Sequence, residues 1–305
     1  MNVLVAGSSG LIGTALVDRL EVGGHRVIRL VRRDPGPPTT SAVRWDPREG
    51  TYDRAALAEL GPIDAAVNLA GAGIGDRRWS AARKQELRDS RVDSTRSVAE
   101  LLGECRPRPR VLVNASAVGY YGDGGDELLT ETSTNGTGFL ADLCRQWEET
   151  TGPAADAGIR TVVVRSGIVL APQGGALGRQ LPLFRLGLGG RLGPGTQFRS
   201  WISLEDELSA VVRCLEDDSL SGPVNLTAPE PVTDATFAAA LGRALHRPAL
   251  LPAPATALRL VLGREMASEL LLYGQRVVPT ALDARDFEFA HPGLDDALRW
   301  VLDRG

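Results

Sequence analysis

Lysine is almost missing from this chain. Of its 34 basic residues only Lys84 is a lysine, and all the others are arginine. Any mechanism that needs a side-chain amine therefore has one candidate. Cysteine is nearly as sparse: Cys105, Cys144 and Cys214 lie far apart without C-x-x-C spacing. An odd count of this kind argues against a disulfide framework and leaves reduced, buried thiols as the plain reading. His25, His246 and His291 are scattered with no metal-ligand spacing, so no metal site is expected. Long apolar runs are missing as well. Val3 to Ala6 and Phe237 to Leu241 fall far short of the roughly 18 residues of a membrane span. The first of these is broken by Gly7, Ser8, Ser9 and Gly10 before it reaches signal-peptide length. A cytoplasmic protein with no membrane contact is expected. There is no basic surplus either, since the net charge is −4, which makes nucleic acid a poor partner. A small-molecule substrate is the expected partner, and no feature of the sequence bears on oligomeric state.

What is present is an ordinary globular composition, 43% hydrophobic and 24% charged over 305 residues. That length suits one large domain, or one large and one small. Asn2 to Ala6 is a short apolar β-type run. Gly7-Ser8-Ser9-Gly10-Leu11-Ile12-Gly13 follows, then a helical pattern through Ala15, Leu16 and Leu20, and Arg26 to Val31 reads as a second strand. Strand, glycine turn, helix and strand fit in about 30 residues, the size of a right-handed βαβ unit. Further strand-like runs stand at 42–45, 63–69, 110–114, 161–165 and 224–226. Between them lie helical patterns at 52–60, 81–102, 139–157 and 205–215. This alternation predicts an α/β fold, a doubly wound parallel sheet of Rossmann type covered by helices on both faces. From Ala171 to Arg199 the texture is irregular and rich in glycine, which suggests a lid segment. After Pro229 the patterns are helical, at 235–245, 255–262, 265–273 and 294–302. The expected division is therefore a nucleotide-binding domain over 1–228 and a small, mostly helical cap over 229–305.

The glycine turn sits where a dinucleotide is gripped. Gly7 would permit the tight turn, Gly10 the close approach of backbone to pyrophosphate, and Gly13 the packing of helix on strand. Ser9, Leu11 and Ile12 stand beside them, where free N–H groups and the positive end of the helix dipole meet phosphate. At the end of the second strand an NAD-selective site would place a carboxylate on the ribose 2′-hydroxyl. Here the strand ends in Arg32-Arg33, which suits the 2′-phosphate of NADP. Asp34 follows directly, and the two arginines could also simply solvate a loop.

These segments, together with Asn68-Leu69-Ala70-Gly71, Ser90-Arg91-Val92, the run from Asn114 to Gly122, Arg199 to Ile202 and Gly274 to Pro279, resemble the extended and atypical short-chain dehydrogenase/reductases. The resemblance is specifically to the NAD(P)-dependent sugar-nucleotide-epimerase-like branch. It covers nearly the whole chain. It implies that Asn68, Leu69, Ala70 and Gly71 line the cofactor after the fourth strand, with Ala115 after the fifth. It places Arg165 and Gly167 near the nicotinamide after the sixth.

The redox members of that superfamily carry a tyrosine followed four residues later by a lysine. Here Ala56, Gly124, Gly125 and Val277 stand four residues beyond Tyr52, Tyr120, Tyr121 and Tyr273. The helix that should bear the pair reads Phe139-Leu140-Ala141-Asp142-Leu143-Cys144 ahead of Trp147-Glu148. Ser116, Tyr120 and Tyr121 are the remaining candidates for proton handling, although an unassisted phenol is a poor base near neutral pH. Ser116 could equally be a structural strand-end serine, and the tyrosines could be packing beneath the loop. Arg199 and Trp201 are candidate substrate contacts, Arg199 through a phosphate or carboxylate, or alternatively through a salt bridge into the core. Lys84 reads as a solvated helix residue, and Asp123, Asp126, Glu127 and Glu131 as a solvated acidic loop. The reading is an NADP-dependent oxidoreductase or epimerase for a small polar carbonyl or sugar nucleotide; alternatively, a non-catalytic NADP(H)-binding sensor or partner-binding module.

Overall fold

The computed structural model describes residues 1–33 and 41–303, so Asp34 lies outside the described residues. The first half of the chain runs β1 (Asn2–Ala6), α1 (Leu11–Val22), β2 (Arg26–Val31), β3 (Ala42–Asp46), β4 (Thr51–Tyr52), α2 (Arg54–Glu59), β5 (Ala65–Asn68), α3 (Ala81–Glu104) and β6 (Val111–Ala117). A 3₁₀ turn (Val118–Tyr121) leads to β7 (Leu128–Leu129), α4 (Phe139–Glu149), α5 (Gly152–Asp156), β8 (Arg160–Ser166) and β9 (Ile168–Leu170). Then come α6 (Gly175–Arg185), β10 (Phe198–Arg199), β11 (Trp201–Ser203), α7 (Leu204–Glu216) and β12 (Gly222–Leu226). The chain ends with β13 (Val232–Thr233), α8 (Asp234–Ala244), α9 (Ala255–Leu262), α10 (Arg264–Ala267), a π turn (Ser268–Leu272), β14 (Arg276–Val277), α11 (Thr280–Asp283) and α12 (Leu294–Leu302).

Eight strands form the main sheet in the order β12-β8-β6-β5-β1-β2-β3-β4. All pairings are parallel except β3 with the edge strand β4. Alternation along the strands feeds two cores. Val3 and Val5 face α1 and α7 with Leu16, Leu20, Leu208 and Val211. Leu4 and Ala6 face the opposite side with Val98, Leu101 and Leu102 of α3. A strand buried on both faces must be apolar at every position, which is why β1 reads as a continuous run. Winding outward from β1, the chain passes to β2 and β3 on one side, then reverses through β5 to β6, β8 and β12. The switch between β1 and β5 opens the crevice where this class of sheet takes its ligands.

Segment 171–199 is more regular than its glycines suggest. Leu177, Leu181 and Phe184 are buried on one face of α6, a helical spacing that the surrounding glycines mask. With Trp201, Phe237, Leu241, Leu294 and Leu298 they make a third apolar cluster. The pattern at 139–157 divides in two at Thr150-Thr151, whose hydroxyls turn back to the carbonyls of Gln146 and Glu148, ahead of Pro153. No described helix is long and apolar enough to cross a membrane.

Candidate active site

The register Ala6↔Asn68 between β1 and β5 brings the two turns at the switch point side by side. Gly7 has φ +80°, and a Cβ there would lie 2.6 Å from the carbonyl carbon of Leu69. A Cβ on Gly13 would lie 2.1 Å from the carbonyl oxygen of Gly7. Both glycines are thus demanded by backbone packing. Gly10 differs: it is exposed, and its Cβ would meet only the Gly7 oxygen, at 3.4 Å. No described residue fills the space over Gly10. Helix α1 begins there without a side-chain cap and without an acidic residue in its first turn, so its leading N–H groups face outward beside exposed Ser9. A phosphate fits that chemistry. Leu11 reaches across to the glycine-rich segment, 3.4 Å from where a Gly174 Cβ would stand. Arg32 and Arg33, just beyond β2, are exposed and carry no competing ion pair among the described residues.

Asn68, at the end of β5, and Asn114, in the middle of β6, are fully buried. The Asn68 amide donates to Thr95 Oγ1 at 3.0 Å and to Asn114 Oδ1 at 2.8 Å, and its oxygen accepts from the Ala70 N–H at 3.2 Å. Trp147 Nε1 donates to the same Thr95 oxygen at 2.9 Å. Asn68 therefore shapes the turn carrying Leu69, Ala70 and Gly71, and its own polar atoms are spent on protein. Gly71 is exposed. Ala115, half-buried, lends its carbonyl to the Asn114 amide. Gly167 is half-buried and packed tightly on one side, where a Cβ would lie 2.6 Å from the carbonyl oxygen of Ser200.

Ser116, Tyr120, Tyr121 and Arg165 are gathered by a residue to which the sequence reading gave no role. Glu148 of α4 accepts from Ser116 Oγ at 2.6 Å and takes Arg165 in two-pronged fashion, at 2.9 Å from Nε and 2.8 Å from Nη2. Arg165 also donates to the Tyr121 hydroxyl at 3.0 Å and lies 3.5 Å from the centre of the Tyr120 ring. Tyr121 in turn donates a hydrogen bond to Asn225 Oδ1 at 2.7 Å. The half-buried Tyr120 holds the cation with its face, while its hydroxyl takes no part in this chain. Burial tends to lower the Arg165 pKa, but the paired Glu148 outweighs it and raises the pKa overall. Burial also pushes the Tyr121 phenol up, against the pull of Arg165. Leu140, Cys144 and Glu148 share one face of α4 at intervals of four, the one signal that could have placed Glu148 beside Ser116. The Cys144 thiol on that face is raised to about 11, chiefly by burial and then by the Glu148 charge, and is chemically quiet.

The expected substrate contacts sit in the core. Arg199 is buried in an ion pair with Asp234 and stands over Phe237, and Trp201 is fully buried with its indole N–H on the Glu230 carbonyl at 3.1 Å. The structure engages Arg199 within the protein, the salt-bridge alternative. Lys84 pairs with Glu265 at 2.9 Å. In the acidic loop Glu131 accepts from the Asn225 and Ala281 N–H groups, and Asp123 from that of Gly274, tying the loop to the C-terminal segment. No cluster among the described residues could hold a metal ion.

A family model described as "NAD dependent epimerase/dehydratase family" matches residues 3–226. The chain belongs to that family. The likeness to the epimerase-like short-chain dehydrogenase/reductases, read from short motifs, thus extends over the whole sheet of this epimerase/dehydratase-family protein. A second model, "Domain of unknown function (DUF1731)", matches residues 253–301. The chain is 48% identical over 302 residues to "Epimerase family protein Mb2239" of Mycobacterium bovis, covering 99% of this chain and 98% of that one. It is 38% identical over 305 residues to the human "Epimerase family protein SDR39U1", covering 99% and 100%. Among solved structures, human epimerase family protein SDR39U1 (isoform 2) with NADPH is similar at TM-score 0.90 and 36% identity, covering 100% of both chains. UDP-glucose 4-epimerase of Thermus thermophilus, in complex with NAD, shares the fold at TM-score 0.77 and 21% identity, covering 100% and 99%.

Proposed function

We propose that this chain binds NADP(H) across the amino end of α1 and acts as an oxidoreductase or epimerase on a small polar carbonyl or sugar-nucleotide substrate. The observation that carries the reading is the uncapped α1 turn, open over Gly10, with two exposed arginines where a carboxylate would select NAD. A similar protein of known structure, human epimerase family protein SDR39U1, was crystallised with NADPH. The backbone of Ser9 to Ile12 would hold the pyrophosphate, Arg32 and Arg33 the 2′-phosphate, and Leu69 to Gly71 the far side of the crevice.

When bound, the nicotinamide supplies the means to give or take a hydride. The protein's part is the proton. Ser116 Oγ already donates to Glu148, so its lone pairs are the part left to accept from a substrate hydroxyl. A proton arriving at Ser116 Oγ releases the serine's own proton across 2.6 Å to Glu148 Oε1, a two-step relay in place of tyrosine and lysine. The layer made by α6, α8 and α12 would cap the substrate.

Calorimetry with NADPH, followed by turnover on a panel of carbonyl compounds and sugar nucleotides, tests the proposal. Turnover should fall at least a hundredfold in Ser116→Ala with NADPH affinity unchanged, and Tyr120→Phe would show whether the free phenol contributes. A second reading is a non-catalytic NADP(H)-binding protein. The engagement of Tyr121 by Arg165 and Asn225 favours it, and tight NADPH binding without turnover on any of the panel would decide for it.

A further inference from the structure

Arg91 stands on the face of α3 that backs the turn after β5. That face latches the turn directly: Ser90 Oγ accepts from the Ala72 N–H at 3.0 Å, and Ser94 Oγ donates to the Ala70 carbonyl at 3.2 Å. Between these two latches the Arg91 guanidinium lies 5.0 Å over the Trp147 ring and donates through Nη1 to the Leu87 carbonyl at 3.0 Å. It comes so close to exposed Gly71 that a Cβ there would stand 3.3 Å from its Cζ.

What Arg91 lacks is an anion. Among the described residues, the buried arginines Arg83, Arg165 and Arg199 face Glu86, Glu148 and Asp234 respectively. No carboxylate of the described residues pairs with Arg91; the ionisable groups near enough to act on it are Cys144 and Arg83. Burial lowers its pKa, Arg83 adds to the lowering, and Cys144 opposes it. A half-buried guanidinium without a counter-charge is costly unless something else supplies one. The exposed side of this one opens at Gly71, on the β5 edge of the crevice, across from Arg32 and Arg33 at the end of β2.

We infer that Arg91 seats an acidic group, phosphate or carboxylate, of a molecule bound over Gly71. The location of that molecule rests on the nucleotide-binding reading above. The planar fork of an arginine matches either group in two-pronged fashion, and among the described residues only its Nη1 finds a hydrogen-bond partner. The acidic group comes from one of two sources, the cofactor's pyrophosphate or an anionic substrate. In the second case the substrates of this enzyme are acidic or phosphorylated, which narrows the carbonyl panel to be tried.

The experiment uses the full chain with Arg91→Met and Arg91→Lys. Thermal melts are taken without ligand, and calorimetry is run with NADPH and with inorganic phosphate added both to unloaded and to NADPH-loaded protein. Arg91→Met should melt at or above wild type without ligand, because an uncompensated charge has gone. It should weaken one of the two ligands at least tenfold, with partial recovery in Arg91→Lys. A loss confined to NADPH assigns the group to the cofactor, and a loss confined to phosphate assigns it to the substrate. A methionine variant that melts well below wild type and binds both ligands unchanged overturns the proposal and leaves Arg91 as packing for Trp147. Should wild type take up no NADPH yet bind phosphate through Arg91, the nucleotide reading falls while this one stands.

Discussion

Ser116 and Arg165 meet on the same carboxylate: Glu148 Oε1 accepts from the serine hydroxyl at 2.6 Å and from the arginine Nε at 2.9 Å. The two donors come from neighbouring strands, β6 and β8, paired in register at these very residues. Helix α4 lowers Glu148 between them. Removing the carboxylate would leave Arg165, only 4% exposed, without its partner. Glu148→Ala should therefore cost about 3–5 kcal/mol, read as a lower urea midpoint, and Arg165→Met added to it should restore much of the loss. A single-variant cost below about 1 kcal/mol, the range of a surface ion pair, would show that the pair does not hold the site together.

The two glycines of the α1 turn should fail differently. In Gly13→Ala the methyl would fall 2.1 Å from the Gly7 carbonyl oxygen, so the helix cannot sit on the strand and folding yield should drop sharply. In Gly10→Ala the nearest protein atom is 3.4 Å away, so the melting temperature should stay within a few degrees of wild type. NADPH affinity should nevertheless fall at least tenfold, because the methyl occupies the space assigned to phosphate. Equal effects of the two variants on stability would refute that assignment.

Coenzyme choice should follow Arg32 and Arg33. A hydrogen bond to a charged group contributes about 1.5–3 kcal/mol, so each alanine variant should weaken NADPH roughly ten- to hundredfold while leaving NADH affinity unchanged. Parallel losses for NADPH and NADH would mean that neither arginine meets the 2′-phosphate.

Glu207 should make stability fall as pH rises. It is fully buried at the start of α7, hydrogen-bonded by Ser166 Oγ at 2.6 Å, with Oε2 unpartnered. Burial raises its pKa from 4.5 to about 7, the serine only partly opposing. The folded state therefore keeps a proton that the unfolded chain has already released. Stability is full below the unfolded value, declines between about 4.5 and 7, and is flat above. The decline is about 3 kcal/mol at most. Glu207→Gln should flatten that decline and melt higher than wild type at pH 8, as thermal scans at pH 5 and pH 8 would show. Superimposable profiles for the two proteins would mean that the carboxyl is ionised in the fold throughout.

Much of this architecture is legible in the sequence. The strand runs fell within a few residues of the observed strands, because a sheet buried on both faces leaves uninterrupted apolar segments between turns. The βαβ opening was readable because Gly7, Gly10 and Gly13 are consecutive solutions to one local problem, a turn from strand to helix. Helix α6 escaped notice because the glycines beside it obscure the spacing of Leu177, Leu181 and Phe184. The meaning of Arg199 stayed open between substrate and core, since its partner Asp234 stands on another element.

Composition and periodicity were thus enough for the α/β class, the strand-turn-helix start and the lack of a tyrosine-lysine pair, since these depend on neighbours along the chain. The Ser116–Glu148–Arg165–Tyr121 chain and the unpaired Arg91 over Trp147 emerged only when β6, β8, α3 and α4 came together. Hydrogen bonds and counter-charges act over a few ångströms of space, and a string of residues does not say which distant side chains will share it.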